Sequence, residues 1–487
     1  MAIPVDTFFL GPDGEGTLQA RIQQMIAEGI LSGRLKKGER LPSSRSLAAH
    51  LGVSRMTVTL AYADLQASDY LSARDRSGYY ISANAPEPPR FASRPAGEDR
   101  IDWSRALGRR FTGGATPDRP LNWADYPYPF LYGQTDPKLF DHANWRHCAL
   151  RALGTRDFHA QATDYYDQDD PKLIEFITRH TLPRRGILAE PDEILVTMGA
   201  QNALWLTAQV LLTQRRTAVV EDPCYHGLRD ILTQSRCHTA AVPVDARGLP
   251  PDLLPDHADV IFTTPSHQCP TNATMPMARR RALLASARDM DALIVEDDYE
   301  FEMAFLNAPS PSLKSLDRDG RVIYVGSFSK SIFPGLRLGY LVGPRPFIRE
   351  ARALRASVLR HPPGLMQRTA AYFLSLGHYD SLIRRMSRAY AERRRVMEAA
   401  LAQHGLTVAG RGVHGGSSIW MRAPEDVDMG AVADALRGQG VLIEPGASFF
   451  HGAAPPRNYY RLAYSSIPPG RINAGIALIA AALQECG

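Results

Sequence analysis

Six short apolar runs, rich in β-branched residues, alternate with stretches of helical periodicity between residues 193 and 343. The runs read EILVTMG, TAVVEDP, ADVIFTTP, ALIVEDDY, RVIYVGS and LGYLVG. Continuous apolar runs of this kind are typical of strands that are buried on both faces of a mostly parallel sheet. The pattern therefore predicts an α/β domain. Shorter strands after residue 349, in SSIWMRA, VLIEPG and YYRLAYS, predict a smaller C-terminal α+β lobe.

Polar residues lie directly after five of the predicted strands, in the strings TMGAQ, EDPCYHG, TTPSHQ, EDDYEFE and GSFSK. In open α/β sheets, ligands bind at the carboxyl ends of the strands. We therefore expect these five strings to meet at one edge of the sheet and to form a ligand site.

The residue types at this edge suit the binding of pyridoxal 5'-phosphate (PLP). Lys330 supplies an amine for a Schiff base, and Asp297 supplies an acid beside the pyridine nitrogen. Tyr299 can donate to the phenolic oxygen of the ring, and Tyr225 can stack on the ring face. Backbone amides at a helix start, hydroxyls and a cation suit the phosphate. The predicted phosphate contacts are Gly199, Ala200, Gln201, Ser327, Ser329 and Arg337.

Two other interpretations of Lys330 were weighed against PLP binding. SFSK is also an S-x-x-K string, as in serine penicillin-binding enzymes, but the chain contains no SDN or KTG partner string. Alternatively, Lys330 is a surface lysine and Asp297 a turn residue. The joint order of the six positions argues against this interpretation; they are Gly199, Tyr225, Asp297, Tyr299, Lys330 and Arg337.

Residues 15–82 carry a different pattern, which predicts a winged helix-turn-helix that binds double-stranded DNA. TLQARIQQMIAEGILSGRL has amphipathic helical spacing, Ser43 begins a second helix that Gly52 ends, and Ser54 begins a third. YLSARDRSGYYIS predicts two short strands around a turn. The alternative is a small helical bundle used for dimerisation. The predicted DNA contacts are Arg45, Ser54, Arg55, Thr57, Thr59 and Gly78.

The segment 83–120 is rich in proline, arginine and small polar residues and predicts a linker. It leaves 121–487 as the C-terminal domain, with a large lobe over about 121–348 and a small lobe over about 349–487. The run from Arg345 to Arg395 holds twelve arginines and three acids, which predicts a solvated helical face, with a DNA-facing patch as the alternative.

The location and metal content of the protein are also constrained by the sequence. No apolar run reaches the roughly 18–20 residues of a membrane span, and the N-terminus lacks the pattern of a secretory signal. Five scattered cysteines form no CxxC pair, which argues against a disulfide framework and a zinc site. We expect a cytoplasmic protein with no metal and no membrane partner.

Both halves of the chain resemble known families. The string RIQQMIAEGILSGRLKKGERLPSSRSLAAHLGVSRMTVTLAYADLQASDYL resembles the winged-helix domain of GntR-type bacterial regulators. From about Leu121 onward, TPSHQCPTNATMPMARR, VEDDYEFE, SFSKSIFPGLRLGY and YYRLAYSSI resemble a fold-type I, aspartate aminotransferase-like PLP domain. The combination resembles the MocR subfamily of GntR-type regulators. The resemblance implies that Lys330 carries the cofactor, that Arg461 holds the acid group of an amino-acid effector, and that the protein is a homodimer, head-to-tail.

Two departures from the family patterns bear on function. Cys269 stands where catalytic aminotransferases usually carry an asparagine, which favours a sensor over a catalyst. Gly227 stands where some MocR proteins that bind a γ-amino acid carry an arginine, and Arg229 follows two residues later. The altered pocket suggests a different way of holding the effector's acid group, which an aminosulfonate such as taurine would also suit.

We therefore expect a PLP-dependent transcriptional regulator that senses a small amino acid or aminosulfonate, taurine or a GABA-like compound, through an external aldimine. Two alternatives stay open. One is a regulator of vitamin B6 metabolism that senses PLP itself. The other is an active aminotransferase with a DNA-binding appendage, and residual half-transamination is compatible with either role.

Overall fold

The structure, a computed structural model, describes residues 3–11, 16–74, 77–87, 101–108, 111, 119–164 and 167–486. The chain forms two compact units, Met1–Arg110 and Phe111–Gly487. Across the described ranges, no helix combines the length and the apolar character that crossing a membrane requires.

The N-terminal unit is a winged helix-turn-helix, as predicted. Ser43 caps α2 (Ser44–Leu51) and Ser54 caps α3 (Arg55–Ala67), by accepting from the backbone amides of Ser46 and Thr57. Gly52 ends α2 in the left-handed conformation. Apolar side chains from all three helices form one core. Its elements are α1 (Leu18–Leu31), α2 (Ser44–Leu51), α3 (Arg55–Ala67), the antiparallel pair β1 (Leu71–Arg74) and β2 (Gly78–Ile81), and the short α4 (Trp103–Ala106). Part of the predicted turn, residues 75 and 76, lies outside the described residues.

The second unit begins with a short strand and three helices and then alternates strands with helices. The strands are β3 (Tyr128–Pro129), β4 (Ile194–Thr197), β5 (Thr217–Asp222), β6 (His238–Pro243), β7 (Val260–Thr263), β8 (Leu293–Asp297), β9 (Val322–Ser327), β10 (Gly339–Val342), β11 (Thr407–Gly410), β12 (Ser418–Arg422), β13 (Val441–Leu442), β14 (Glu444–Pro445) and β15 (Tyr459–Ala463). The helices are α5 (His142–Ala152), α6 (Thr155–Ala162), α7 (Pro171–Phe176), α8 (Ala200–Leu211), α9 (His226–Ser235), α10 (Met277–Asp289), α11 (Leu313–Leu316), α12 (Arg345–Leu359), α13 (Gly364–Ser375), α14 (His378–Gln403), α15 (Met429–Gly438) and α16 (Pro469–Cys486).

The large sheet has seven strands in the order β4-β10-β9-β8-β7-β5-β6. Strand β10 alone runs opposite to the other six strands, so the prediction of a mostly parallel sheet is confirmed. The strands β4, β5, β7, β8 and β9 therefore end at the same edge, and the predicted site strings follow these ends. Strand β6 was not predicted, because HTAAVP is an edge strand whose residues are mostly exposed.

The small lobe contains the antiparallel sheet β11-β12-β15-β14. Its strand β13 pairs in parallel with β3, which lies within the range predicted for the large lobe. The backbone amides of Tyr128 and Phe130 donate to the carbonyl oxygens of Gly440 and Leu442, at 3.1 and 2.9 Å. These hydrogen bonds attach the segment that follows the predicted linker to the small lobe, which differs from the expected division into lobes.

The arginine-rich run over α12 to α14 does not form the simple solvated face that its composition predicted. Arg355, Arg368 and Arg393 are buried, and they form ion pairs with Asp169, Asp157 and Asp136 respectively. Buried arginines need such partners, because an unpaired buried charge costs several kcal/mol, on the order of 3–5. Part of the run therefore joins elements inside the domain.

Candidate functional site

Three groups that suit a phosphate converge at the start of α8. Gly199 precedes the helix with φ +81°, a conformation that favours glycine. A methyl group at Gly199 would lie 3.2 Å from Arg337 Nη2 and 3.6 Å from Ser329 Oγ. The Ser329 hydroxyl is buried and has no hydrogen-bond partner within the part of the chain that the structure describes. A buried hydroxyl without a partner beside a guanidinium can bind an anion's oxygen.

The other predicted phosphate contacts lie next to this point. Ala200 and Gln201 are the first two residues of α8, whose first-turn amides have no acceptor within the helix. Ser327 ends β9, and its hydroxyl accepts from the amide of Ser329 at 3.2 Å. The structure therefore brings all six predicted phosphate contacts to the shared edge of β4 and β9.

Lys330 and Asp297 lie at the same edge and have shifted pKa values. Burial within the site lowers the pKa of Lys330 to about 8. The charges of Arg461 and Arg119 also lower this pKa, whereas the charge of Glu300 raises it. Burial, together with the charges of Asp298 and Glu221, raises the pKa of Asp297 to about 8. Asp297 Oδ1 is buried without a hydrogen-bond partner within the described residues. A cationic donor such as a protonated ring nitrogen would satisfy it.

Tyr225 lies at the N-terminus of α9 and depends on the glycine that follows two residues later. A methyl group at Gly227 would lie 2.6 Å from Tyr225 Cζ and 2.7 Å from its hydroxyl oxygen, so any larger residue must displace the ring. Arg229 donates to the carbonyl oxygen of Phe450. The Tyr225 ring therefore lies where a side chain at position 227 would begin, and Arg229 is engaged by the Phe450 carbonyl.

Tyr299 and Cys269 flank the site from the loops after β8 and β7. The Tyr299 hydroxyl donates to the carbonyl oxygen of His267 at 3.0 Å, so donation to a cofactor ring oxygen would require it to leave this acceptor. Cys269 is buried, and burial raises the pKa of its thiol to about 12. The thiol is therefore neutral and a weaker donor than the amide of an asparagine.

Arg461 is buried and already has an anionic partner. Its Nε and Nη2 atoms lie 2.7 and 2.6 Å from Glu444 Oε2, across the pair β14 and β15. Its guanidinium carbon lies 3.8 Å from the centroid of the Tyr132 ring, and Lys330 Nζ lies 4.2 Å from the same centroid. Arg119 Nη2 binds the other oxygen of Glu444 at 3.3 Å.

Sequence reasoning did not identify Glu444, Arg119 or Tyr132 as site residues. Glu444 could have been noticed as a single acid within the apolar run VLIEPG. Arg119 stands in a segment with many arginines and prolines, and its position carries no local signal. Tyr132 ends the aromatic stretch YPYPFLY, which is equally typical of a hydrophobic core.

The residues predicted to contact DNA lie on or beside α2, α3 and β2. Arg45, Ser54 and Arg55 are exposed, and Thr57 and Thr59 are half-buried. The Thr59 hydroxyl donates to the carbonyl oxygen of Arg55 at 2.9 Å, and Ser54 caps the helix. Both hydroxyls therefore have a structural role, whatever else they contact.

Two further residues of this surface, Met56 and Gly78, lie near the predicted contacts. Met56, whose side chain is 66% exposed, shares the first turn of α3 with Arg55 and was not predicted as a contact. Gly78 begins β2 with φ +100°, and the guanidinium of Arg40 lies 3.6 Å from the position that a methyl group would take. An exposed methionine on a helix that carries an arginine can contact the methyl group of thymine.

Comparison with known proteins agrees with both units. Residues 18–81 match the family of bacterial regulatory proteins, gntR family, and residues 133–476 match aminotransferase class I and II. The HTH-type transcriptional regulator TauR of Rhodobacter capsulatus is 60% identical, over 99% of this chain and 100% of its own. The probable rhizopine catabolism regulatory protein MocR of Rhizobium meliloti is 31% identical, over 96% of this chain and 94% of its own.

Among solved structures, the α-aminoadipate aminotransferase LysN of Thermus thermophilus, crystallised with N-(5'-phosphopyridoxyl)-L-leucine, is 26% identical. The match has a TM-score of 0.71 and covers 79% of this chain and 99% of LysN. The part of this chain that matches LysN has the fold of an aminotransferase, and residues 18–81 match the gntR family. By both domains, and along nearly its whole length, this chain belongs to the MocR-type transcriptional regulators.

Proposed function

We propose that this regulator binds PLP and responds to a small amine that carries an acid group, with taurine as the first candidate. The observation that carries the proposal is the position of Lys330 and Arg461 on one aromatic ring. Lys330 Nζ and the guanidinium carbon of Arg461 lie 4.2 and 3.8 Å from the centroid of Tyr132. A ligand with an amine at one end and an anion at the other matches this pair of groups.

The residues present fit the cofactor. Asp297 offers a buried carboxylate oxygen without a partner, and Ser329 offers a buried hydroxyl without a partner, both judged over the described residues. Bound PLP would supply an electrophilic carbon that reacts with amines. Asp297 would hold the proton of the pyridine nitrogen, and Gly199, Ser329 and Arg337 would bind the phosphate. Lys330, with a pKa lowered to about 8, has about a tenth of its amine neutral at pH 7, far more than a lysine with an unshifted pKa.

An aminosulfonate fits the acid end of the site for two reasons. The Tyr225 ring fills the place of the arginine that γ-amino acid binders carry at the position of Gly227, so the anion must rely on other cations. The name TauR of the relative that is 60% identical also suggests taurine. Cys269, a neutral thiol in place of the catalytic asparagine, supports a sensor in preference to an enzyme.

The response of the DNA-binding unit follows from linkage. An effector changes DNA binding only if it binds one arrangement of the protein more tightly than another. We propose a homodimer, head-to-tail, because aminotransferase-like domains dimerise and two DNA readers suit a two-part operator. Such a regulator acts in the cytoplasm, on double-stranded DNA.

The test is a titration of the purified PLP-loaded protein, followed by the visible absorption band of the cofactor and by the affinity for operator DNA. Taurine is compared with ethanolamine, which has the amine without the acid, and with isethionate, which has the acid without the amine. We expect taurine to change both readouts at concentrations at which the two fragments change neither. Lys330→Ala, which lacks the amine, is the control for the origin of the absorption band.

Other outcomes identify the alternatives. If PLP alone gives the full DNA response and no amine adds to it, the protein senses the cofactor itself. If repeated release of an aldehyde or keto acid accompanies the spectral change, the domain is an active aminotransferase. Either result contradicts the proposed sensing of an amine.

A further inference from the structure

Glu444 lies between two arginines that come from distant parts of the chain. Its Oε2 atom accepts from Nε and Nη2 of Arg461, and its Oε1 atom lies 3.3 Å from Arg119 Nη2. The two arginines lower the pKa of Glu444 against the effect of its burial, so the carboxylate is charged. The three side chains together carry one net positive charge, which favours an additional anion.

The geometry of Arg461 leaves one edge for a ligand. Nε and Nη2 face Glu444, whereas Nη1 lies 4.0 Å from Cys269 Sγ, beside the Tyr132 ring. A guanidinium binds an acid group best through two parallel donors. With the Nε edge occupied, a bound acid would use Nη1 and would have oxygens left over for a second cation.

Arg119 is placed to be that second cation. A methyl group at Gly133 would lie 2.6 Å from Lys330 Nζ and 3.9 Å from Arg119 Nη1, so both side chains approach the same point. The charge of Arg119 also lowers the pKa of Lys330. Arg119 Nε is buried without a hydrogen-bond partner within the described residues, although the side chain as a whole is 32% exposed.

The surroundings allow Arg119 to change partners. Arg119 and Glu444 form part of the wall of a cavity of about 260 Å³. The residues that line this cavity do not include Lys330 or Arg461. It therefore gives room beside the pair for a displaced side chain of Arg119 or Glu444.

We propose that Arg119 is a binding residue for the effector's acid group, and that Glu444 orients Arg461 and is the counterion of both arginines before the effector binds. This proposal rests on the proposed function. A sulfonate, with three oxygens, would bind Arg461 through Nη1 and Arg119 through a terminal nitrogen. Arg119 follows closely after the boundary at Arg110 and Phe111 between the two compact units. Effector binding would therefore act directly on the chain that leads to the DNA-binding unit.

The test compares taurine and ethanolamine in the PLP-loaded, full-length protein, by the cofactor absorption band and by DNA affinity. We expect Arg119→Ala to weaken taurine binding at least about tenfold, as expected for loss of a hydrogen bond to a charged group. Ethanolamine, which lacks the acid, should change the absorption band only at higher concentrations, equally in the variant and the wild type. This equal response also shows that the variant is folded and loaded. Arg119→Lys should restore part of the affinity, because it keeps the charge.

Two further variants separate charge from structure. Arg457→Ala removes an arginine from an exposed ion pair with Asp428 in the same unit and should leave taurine binding unchanged. Glu444→Gln removes the competing carboxylate and should tighten the binding of taurine, in the direction opposite to Arg119→Ala. The Gln oxygen can still accept from Arg461, so its orientation should persist. Weaker binding by Glu444→Gln would overturn the role of Glu444 as the counterion that the effector replaces.

The outcomes for the two proposals are distinct. If the wild type ignores taurine and every other amine with an acid group, the proposed function fails and the role of Arg119 fails with it. If the wild type responds and Arg119→Ala responds with the same affinity, the proposed function stands and the role of Arg119 is wrong.

Discussion

At the scale of single residues, the site consists of groups whose charge states depend on burial. Lys330 and Asp297 both have pKa values of about 8, from opposite shifts of a base and an acid. Burial disfavours the charged form of each group. PLP would supply an electrophilic carbon for Lys330 and a protonated pyridine nitrogen for Asp297. The pH dependence of cofactor binding and of stability therefore reports on these two residues.

Capture of PLP by the cofactor-free protein should accelerate as the pH rises through about 8. The neutral amine of Lys330 is the nucleophile, and its lowered pKa makes this form available well below the ordinary lysine range. Stopped-flow absorbance over a pH series measures the rate constant, with Lys330→Ala as the control without covalent capture. A midpoint near 10 would contradict the lowered pKa.

Asp297→Asn should stabilise the cofactor-free protein while weakening PLP binding. The pKa of Asp297 is raised on folding, so its contribution to stability is fully present below about pH 4 and is lost as the pH rises to about 8. Asparagine does not ionise, so the variant should gain on the wild type across this window. Thermal unfolding of both proteins over the pH series provides the measurement, and equal pH profiles would contradict the assignment.

At the scale of elements, the proposed phosphate site lies at the start of α8 and the proposed DNA contacts lie at the start of α3. Both sites use helix N-termini, where backbone amides lack acceptors within the helix. The structure shows why only one of them has a free hydroxyl: Ser54 caps α3, whereas Ser329, which comes from a loop, has no partner within the described residues.

Gly199→Ala should reduce the affinity for PLP by about tenfold or more, because strain at positive φ is on the order of 1–3 kcal/mol and the methyl group crowds Arg337. Pyridoxal, which lacks the phosphate, should bind as in the wild type. Gly248→Ala is the matched control, since Gly248 has φ +82° and lies beside Met275. Equal losses for PLP and pyridoxal would show that the helix start is not the phosphate site.

Arg55→Ala and Ser54→Ala should separate DNA binding from stability. Ser54 caps α3, so its replacement should destabilise the N-terminal unit by about 0.5–2 kcal/mol. Arg55 is exposed, and its replacement should leave stability unchanged and weaken specific DNA binding by about 1–3 kcal/mol. Denaturant unfolding and DNA titration of both variants check this pair. An unchanged DNA affinity for Arg55→Ala would remove it from the interface.

The sequence predicts elements well where the local pattern is strong. The caps Ser43 and Ser54 and the buried strands of the large sheet have signals that lie within a few residues of each other. Strand β6 was missed because its mostly exposed residues lack the apolar pattern of the other strands. The pairing of Tyr128–Pro129 with Val441–Leu442 was missed because it joins segments far apart in the chain, and no local pattern encodes it.

At the scale of the whole molecule, two units with separate cores share one chain. The order of the cofactor residues could be predicted, because five strands of one sheet end at one edge. The arrangement around Arg461 could not, because Glu444 and Arg119 approach it from a separate strand and from the predicted linker. In our proposal this second group selects for an anion, and Arg119 stands close in sequence to the DNA-binding unit.

The central claim is that an amine with an acid group, bound between Lys330 and Arg461, controls DNA binding. The most direct test is the affinity of the PLP-loaded protein for an operator selected from random-sequence DNA, with and without saturating taurine. We expect taurine to change the affinity or the stoichiometry for the wild type, and to have no effect on Lys330→Ala or on Arg461→Ala. An equal taurine response in the wild type and in both variants would contradict the account.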